Sequence, residues 1–99
     1  MKRLTFSPAA RADLLAIARH IAEDNPDRAL SFVAELEAKA AQAAERPGSF
    51  PVSDDVAPGL RSIVYGRYLL LFRELADEVR IVRVLHSARD LPRAFDTQP

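Results

Sequence analysis

Apolar residues crowd the second half of the chain in a way that fits strands rather than helices. From Leu60 to Asp90 the sequence reads LRSIVYGRYLLLFRELADEVRIVRVLHSARD. It divides into three predicted strands, Leu60 to Tyr65, Tyr68 to Leu75 and Glu78 to His86, punctuated by Gly66-Arg67 and Ala76-Asp77. Side chains on a strand alternate faces. In the middle strand Tyr68, Leu70 and Phe72 therefore point one way and Leu69 and Leu71 the other. In the third, strict alternation puts Val79, Ile81 and Leu85 on one face and Val82 and Val84 on the opposite one. Strands apolar on both faces sit inside a sheet and need cover above and below.

The first half has a different period. Lys2 to Phe6 alternates as a short first strand, and Ser7-Pro8 then supplies an N-cap followed by proline at the first helical position. Ala10, Leu14, Ile17 and Ile21 recur at helical spacing with Arg11, Arg19 and Glu23 off that line, predicting a helix from about Pro8 to about Asp24. Asn25-Pro26 repeats the cap-and-proline signal, and Phe32, Val33, Leu36, Ala40 and Ala43 mark the buried stripe of a second helix ended by Pro47-Gly48. Glu35 and Lys39 form an i, i+4 pair on its outer side. So short a junction folds the helices back as an antiparallel hairpin. The predicted fold is α+β in the order β-α-α-β-β-β. An N-terminal strand precedes a helix hairpin packed on one face of a small antiparallel sheet, and residues 1–99 make one domain.

A hairpin on one face leaves the other short of cover. Leu69, Leu71, Val82 and Val84 would have only loops and the tail to shield them. Each fully buried aliphatic side chain is worth roughly 1.5–3 kcal/mol, against a total stability of about 5–15 kcal/mol. An uncovered strip of that kind marks a binding surface. The plainer alternative is that residues 87–99 fold back over it.

Charge narrows the choice of partner. The chain carries 14 Lys plus Arg and 14 Asp plus Glu, a net charge of zero, whereas proteins that bind duplexes by neutralising phosphates carry a basic excess. Residues 59–99 nonetheless hold 7 basic side chains against 5 acidic ones, and all 7 are arginines, suited to bidentate contacts with carboxylates. Arg61, Arg67, Arg73, Arg83 and Arg89 are candidates for holding an acidic protein segment; a solvated set of strand arginines is the bland reading. With no cysteine, disulfides and thiolate metal sites are excluded, and a reducing cytosol is compatible with the chain. No apolar run, Tyr68 to Phe72 included, approaches bilayer length, so a soluble cytoplasmic protein without membrane contact is expected.

Candidate chemistry is thin. His86 ends an apolar strand and is the residue type for acid–base work near neutral pH, though a strand-end histidine with a local hydrogen bond explains it as well. Tyr65 and Tyr68 suit cross-strand packing as readily as proton transfer. Asp54-Asp55 lacks companions at ligand spacing, so no metal or cofactor is expected. Gly-rich phosphate loops, nucleophile elbows and HExxH are absent from the sequence.

The ensemble resembles the RelE/ParE superfamily of bacterial toxins from type II toxin–antitoxin modules over roughly residues 3–95. The most specific parts are Gly59-Leu60-Arg61, Gly66-Arg67-Tyr68 and Arg83-Val84-Leu85-His86 with Arg89-Asp90. The resemblance implies a cognate antitoxin, ribbon-helix-helix and ParD-like, forming hetero-oligomers with the toxin and linking it to operator DNA only indirectly. Two activities divide the superfamily. RelE-like members cut mRNA on the ribosome with lysines, arginines and a tyrosine or histidine; ParE-like members lack that set and poison DNA gyrase. With only Lys2 and Lys39, both outside the meander, and with LHSARD at the end of the last strand, this chain looks like the ParE branch. That branch implies no catalytic residues. Taken with the uncovered strip and the strand arginines, the expectation is an antitoxin on Leu69, Leu71, Val82, Val84 and Arg73, and a target on Arg61, Arg67, Arg83, His86 and Arg89. The alternative, a RelE-like ribosome-dependent endonuclease, would use Arg61, Arg83 and His86 for catalysis.

Overall fold

The computed structural model describes residues 2–54 and 57–87. Its elements run β1 (Arg3–Phe6), α1 (Pro8–Ala22), α2 (Pro26–Glu45), a 3-10 turn (Pro47–Ser49), β2 (Arg61–Tyr65), β3 (Tyr68–Glu74) and β4 (Glu78–His86). Both caps work as the sequence predicts. The Ser7 hydroxyl accepts from the Ala10 N–H, and the Asn25 amide oxygen accepts from the Arg28 N–H, satisfying donors that each first turn leaves open. Two residues, Gly66 and Arg67, join β2 to β3. Gly66 has φ 59°, and no described non-glycine residue has positive φ, which is the II′ pattern with glycine first.

The four strands form one sheet in the order β1-β4-β3-β2. The meander β2-β3-β4 is antiparallel, and β1 joins the far edge parallel to β4, Arg3 opposite Glu78 and Phe6 opposite Ile81. A parallel partner needs a crossover, and the helix hairpin is that crossover. Its buried face, Ala10, Ile17, Leu36, Ala40, Ala43 and Ala44, meets Ile63, Leu70, Phe72, Val79, Ile81 and Val84 in the main core. Alanines along α2 let the helix approach the sheet closely, and Phe50 closes one end edge-on to Phe72 at 5.9 Å between ring centres.

Strict alternation fails in β4. The pairing steps from Leu71 opposite Arg83 to Phe72 opposite Ile81, leaving Val82 as an extra residue. Such a bulge inverts the facing of everything beyond it. Val84, expected beside Val82, instead lies in the helix-side core and is 2% exposed. Leu85, expected with Val79 and Ile81, lies on the far side with Leu60 and Leu71, against which Val82 and Ala57 pack.

The far side is also better covered than the alternation suggests. Leu71 is 0% exposed, and Leu60 and Leu85 are buried with it. Leu69 and Val82 are half-buried. The expected uncovered strip of Leu69, Leu71, Val82 and Val84 is therefore not there. What remains apolar and open on that face is Val64, 69% exposed, next to Leu69 in the β2–β3 pairing. Whether the tail shields this side falls outside the described residues.

Candidate functional site

Side chains of α2 and the hairpin turn meet at one end of the sheet. On α2, Arg28, Phe32, Glu35 and Lys39 are spaced four, three and four apart and share a face. The Arg28 guanidinium grips Glu35 with two bonds, Nη1 to Oε2 at 2.6 Å and Nη2 to Oε1 at 3.2 Å, and lies 5.1 Å from the Phe32 ring centre. The Tyr65 hydroxyl donates to the same carboxylate, and Lys39 Nζ stands 5.8 Å from the Tyr65 ring centre. Aromatic contacts continue across the sheet from Tyr65 through Phe32 and Tyr68 to His86, with ring centres 5.8, 5.5 and 5.4 Å apart. The order follows from register, since Tyr65 pairs with Tyr68 and Tyr68 with His86.

The charges in this cluster satisfy one another. Arg28 first, then the Tyr65 hydroxyl, hold the Glu35 carboxyl below its ordinary value. The same carboxylate, followed by desolvation, raises the Tyr65 phenol, and it raises Arg28 too. A carboxylate committed to two donors is a poor proton acceptor, and a phenol with a raised pKa is a poor proton source. The network fixes the α2–β2 junction without arming an acid or base.

At the opposite edge of β4, α1 fastens the bulge. Beyond Phe6 the chain has turned into α1, so β4 has no strand partner there. The Ser7 hydroxyl donates to the Val82 carbonyl at 2.8 Å. Asp13 accepts from the Val84 N–H at 2.9 Å and from the Arg83 guanidinium at 2.8 and 3.0 Å. One carboxylate replaces a missing ladder bond and pairs the arginine that the bulge turns toward it. Sequence reasoning reached Ser7 as a cap but missed this second bond and missed Asp13, which lies off the apolar stripe of α1.

The expected site residues separate accordingly. Arg83 is engaged by Asp13, and Arg61 Nη1 donates to the Phe50 carbonyl at 2.7 Å. Arg73 Nη1 reaches the Pro58 carbonyl at 2.9 Å from an exposed position. Arg67 is exposed at the hairpin turn, where its carbonyl accepts from the Ser87 N–H. His86 is half-buried edge-on to Tyr68. Arg67 and His86 thus share one end of the sheet, while Arg61, opposite Phe72, stands near the other. Arg61, Arg83 and His86 do not converge. Arg89 lies outside the described residues, as does Asp55. Among the described residues no group of three His, Cys, Asp or Glu side chains is placed to hold a metal ion, and no helix is long and apolar enough to cross a membrane.

A two-helix crossover feeding a three-stranded meander defines an α+β scaffold of one mixed sheet with a helix hairpin on one face, and comparison with known proteins places it. The family described as ParE toxin of type II toxin-antitoxin system, parDE, matches residues 4–91, and the chain belongs to that family. Among solved structures, a chain of the chromosomal ParDE toxin–antitoxin system from P. aeruginosa superposes with a TM-score of 0.76 at 24% identity, covering 87% of this chain and 96% of that one. At that identity the likeness speaks to fold. No curated protein matches.

Proposed function

We propose that this chain is the toxin of a type II pair, neutralised by a ParD-like ribbon-helix-helix antitoxin, and that its cellular target is DNA gyrase, which it inhibits by binding rather than by covalent chemistry. The family match over residues 4–91 carries the reading. The geometry supports the absence of a catalytic role, because the side chains with acid–base potential at the α2–β2 junction are tied up among themselves. The endonuclease alternative finds no support in the scattered positions of Arg61, Arg83 and His86. In this reading the toxin works in the cytoplasm and meets operator DNA only through its antitoxin. Arg67 and His86, side by side at one end of the sheet, are the described residues best placed for the target; the exposed Arg73 with half-buried Leu69 and Val82 remains for the antitoxin. The test is a supercoiling assay with purified gyrase and antitoxin-free toxin. Loss of supercoiling, with cleaved DNA trapped, is expected; full activity at large molar excess of toxin removes the gyrase assignment.

A further inference from the structure

Two tyrosines flank the β2–β3 turn, and the fold uses them differently. Tyr65 and Tyr68 face each other across the antiparallel pair, and both pack against the helix-side core. The Tyr65 hydroxyl donates to Glu35, a carboxylate that Arg28 also holds. The Tyr68 hydroxyl has no hydrogen-bond partner among the described residues. No buried side-chain nitrogen or oxygen is left unpartnered among those residues, so this hydroxyl is open to water.

The Tyr68 ring, by contrast, is held. Phe32 of α2 is centred 5.5 Å from it, and His86 5.4 Å from it and edge-on. A donor whose ring is fixed before a partner arrives gives up little rotamer freedom on binding. Its neighbours select the partner's chemistry. Arg67, directly before Tyr68 in the turn, is exposed, and a guanidinium offers donors only. A phenol next to a guanidinium favours an acceptor of negative charge. Glu35 does not supply it, being committed to Arg28 and Tyr65. The chain's net charge of zero speaks against a phosphate backbone as the source, whereas tyrosine and arginine are the residue types that dominate binding energy at protein interfaces.

We propose that Tyr68 contacts the target, its hydroxyl donating to a carboxylate on the protein surface of gyrase that Arg67 also pairs with, while Tyr65 across the turn serves the fold alone. The inference rests on the gyrase reading and adds to Arg67 and His86 a residue that tests for an acceptor at a fixed place. Wild type, Tyr68→Phe and Tyr65→Phe are compared for inhibition of supercoiling, for affinity to purified gyrase with and without duplex DNA, and for the thermal midpoint of the free chain. Tyr68→Phe should raise the half-inhibitory concentration about tenfold and weaken affinity by a similar factor with or without DNA. Its midpoint should stay in place, because only a solvent-facing hydroxyl is lost. Tyr65→Phe should show the opposite pattern, a lowered midpoint with inhibition within about twofold of wild type. Undiminished inhibition by Tyr68→Phe, an equal loss in both variants, or a lowered midpoint in Tyr68→Phe overturns the assignment and leaves the gyrase reading standing. A loss of affinity confined to the DNA-bound enzyme puts the acceptor on nucleic acid and overturns the protein contact. If the wild-type chain neither binds nor inhibits gyrase, the target and the contact fall together.

Discussion

The two faces of the sheet draw on the same strands and end in different environments. On the helix side Ile63, Leu70, Phe72, Val79, Ile81 and Val84 share a continuous core with both helices and β1. On the far side three leucines, Leu60, Leu71 and Leu85, make a separate buried cluster with Ala57 and Val82 around it. Leu70 and Leu71 are neighbours in sequence, identical in type and equally buried, yet each belongs to a different cluster. Burial alone therefore does not rank their contributions; what matters is how much structure collapses into the space each leaves.

That contrast predicts the largest effect. Leu70→Ala opens a cavity between sheet and helices, whose backbones are fixed by their own hydrogen bonds, and should cost about 4–5 kcal/mol. Leu71→Ala opens one in a small satellite cluster whose neighbours have more freedom to relax, and should cost about 2–3 kcal/mol. Urea unfolding of the two variants checks the ranking. Equal costs would mean that the far side is as rigidly packed as the core, and a reversed order would break the comparison outright.

The boundary between the faces is set at the bulge, so Asp13 comes next. Asp13→Ala leaves the Val84 N–H without its acceptor and takes from Arg83 its carboxylate partner, at a cost of about 1–3 kcal/mol. Asp13→Asn should recover part of the loss, because an amide oxygen still accepts from Val84. Hydrogen exchange at the Val84 amide reads the contact directly: exchange should accelerate strongly in the alanine variant and less in the asparagine one. An unchanged rate would show that the bulge stands without α1.

The same elements explain what the sequence discloses and what it withholds. Cap-and-proline pairs, Gly66 at the turn and two-sided apolar strands are local signals, and they place all six major elements within about two residues of their observed ends. The parallel attachment of β1 is not local, since it depends on where the crossover returns. The bulge is hidden for a different reason. VRIVRVLH alternates acceptably in either parity, and the choice is made by Ser7 and Asp13, more than 65 residues earlier. One inserted residue moved Val84 from an expected partner surface into the core. The α2 cluster was half visible. Its i, i+4 spacing pairs Glu35 with Lys39, whereas its partners in the fold are Arg28, two turns back on the same face, and Tyr65, brought in by the sheet.

Exposed positions should respond little, and Val64 tests whether the far side ends where the leucine cluster ends. At 69% exposure, Val64→Ser should shift stability by no more than about 0.5 kcal/mol. A loss above about 1 kcal/mol would mean that the apolar cover extends over β2 after all.

The smallest effect is a change of slope with pH at the α2–β2 junction. The folded-state pKa of Glu35 is depressed, so its pairing contributes stability above the unfolded value of about 4.3, and that contribution is lost as pH falls through the lowered folded value. Glu35→Gln should therefore differ from wild type by a constant amount near neutrality, with the gap closing below about pH 4. Tyr65 works in the other direction: its raised pKa favours the protonated phenol, a contribution complete below about pH 10 and lost as the phenol ionises. The two partners of Glu35 are separable by following its carboxyl carbon by NMR. Arg28→Met should raise the Glu35 midpoint more than Tyr65→Phe does, because the guanidinium is the larger cause of its depression. The reverse order would mean that the helix-borne pair is a loose surface contact and that the tyrosine, carried on the sheet, does the fastening.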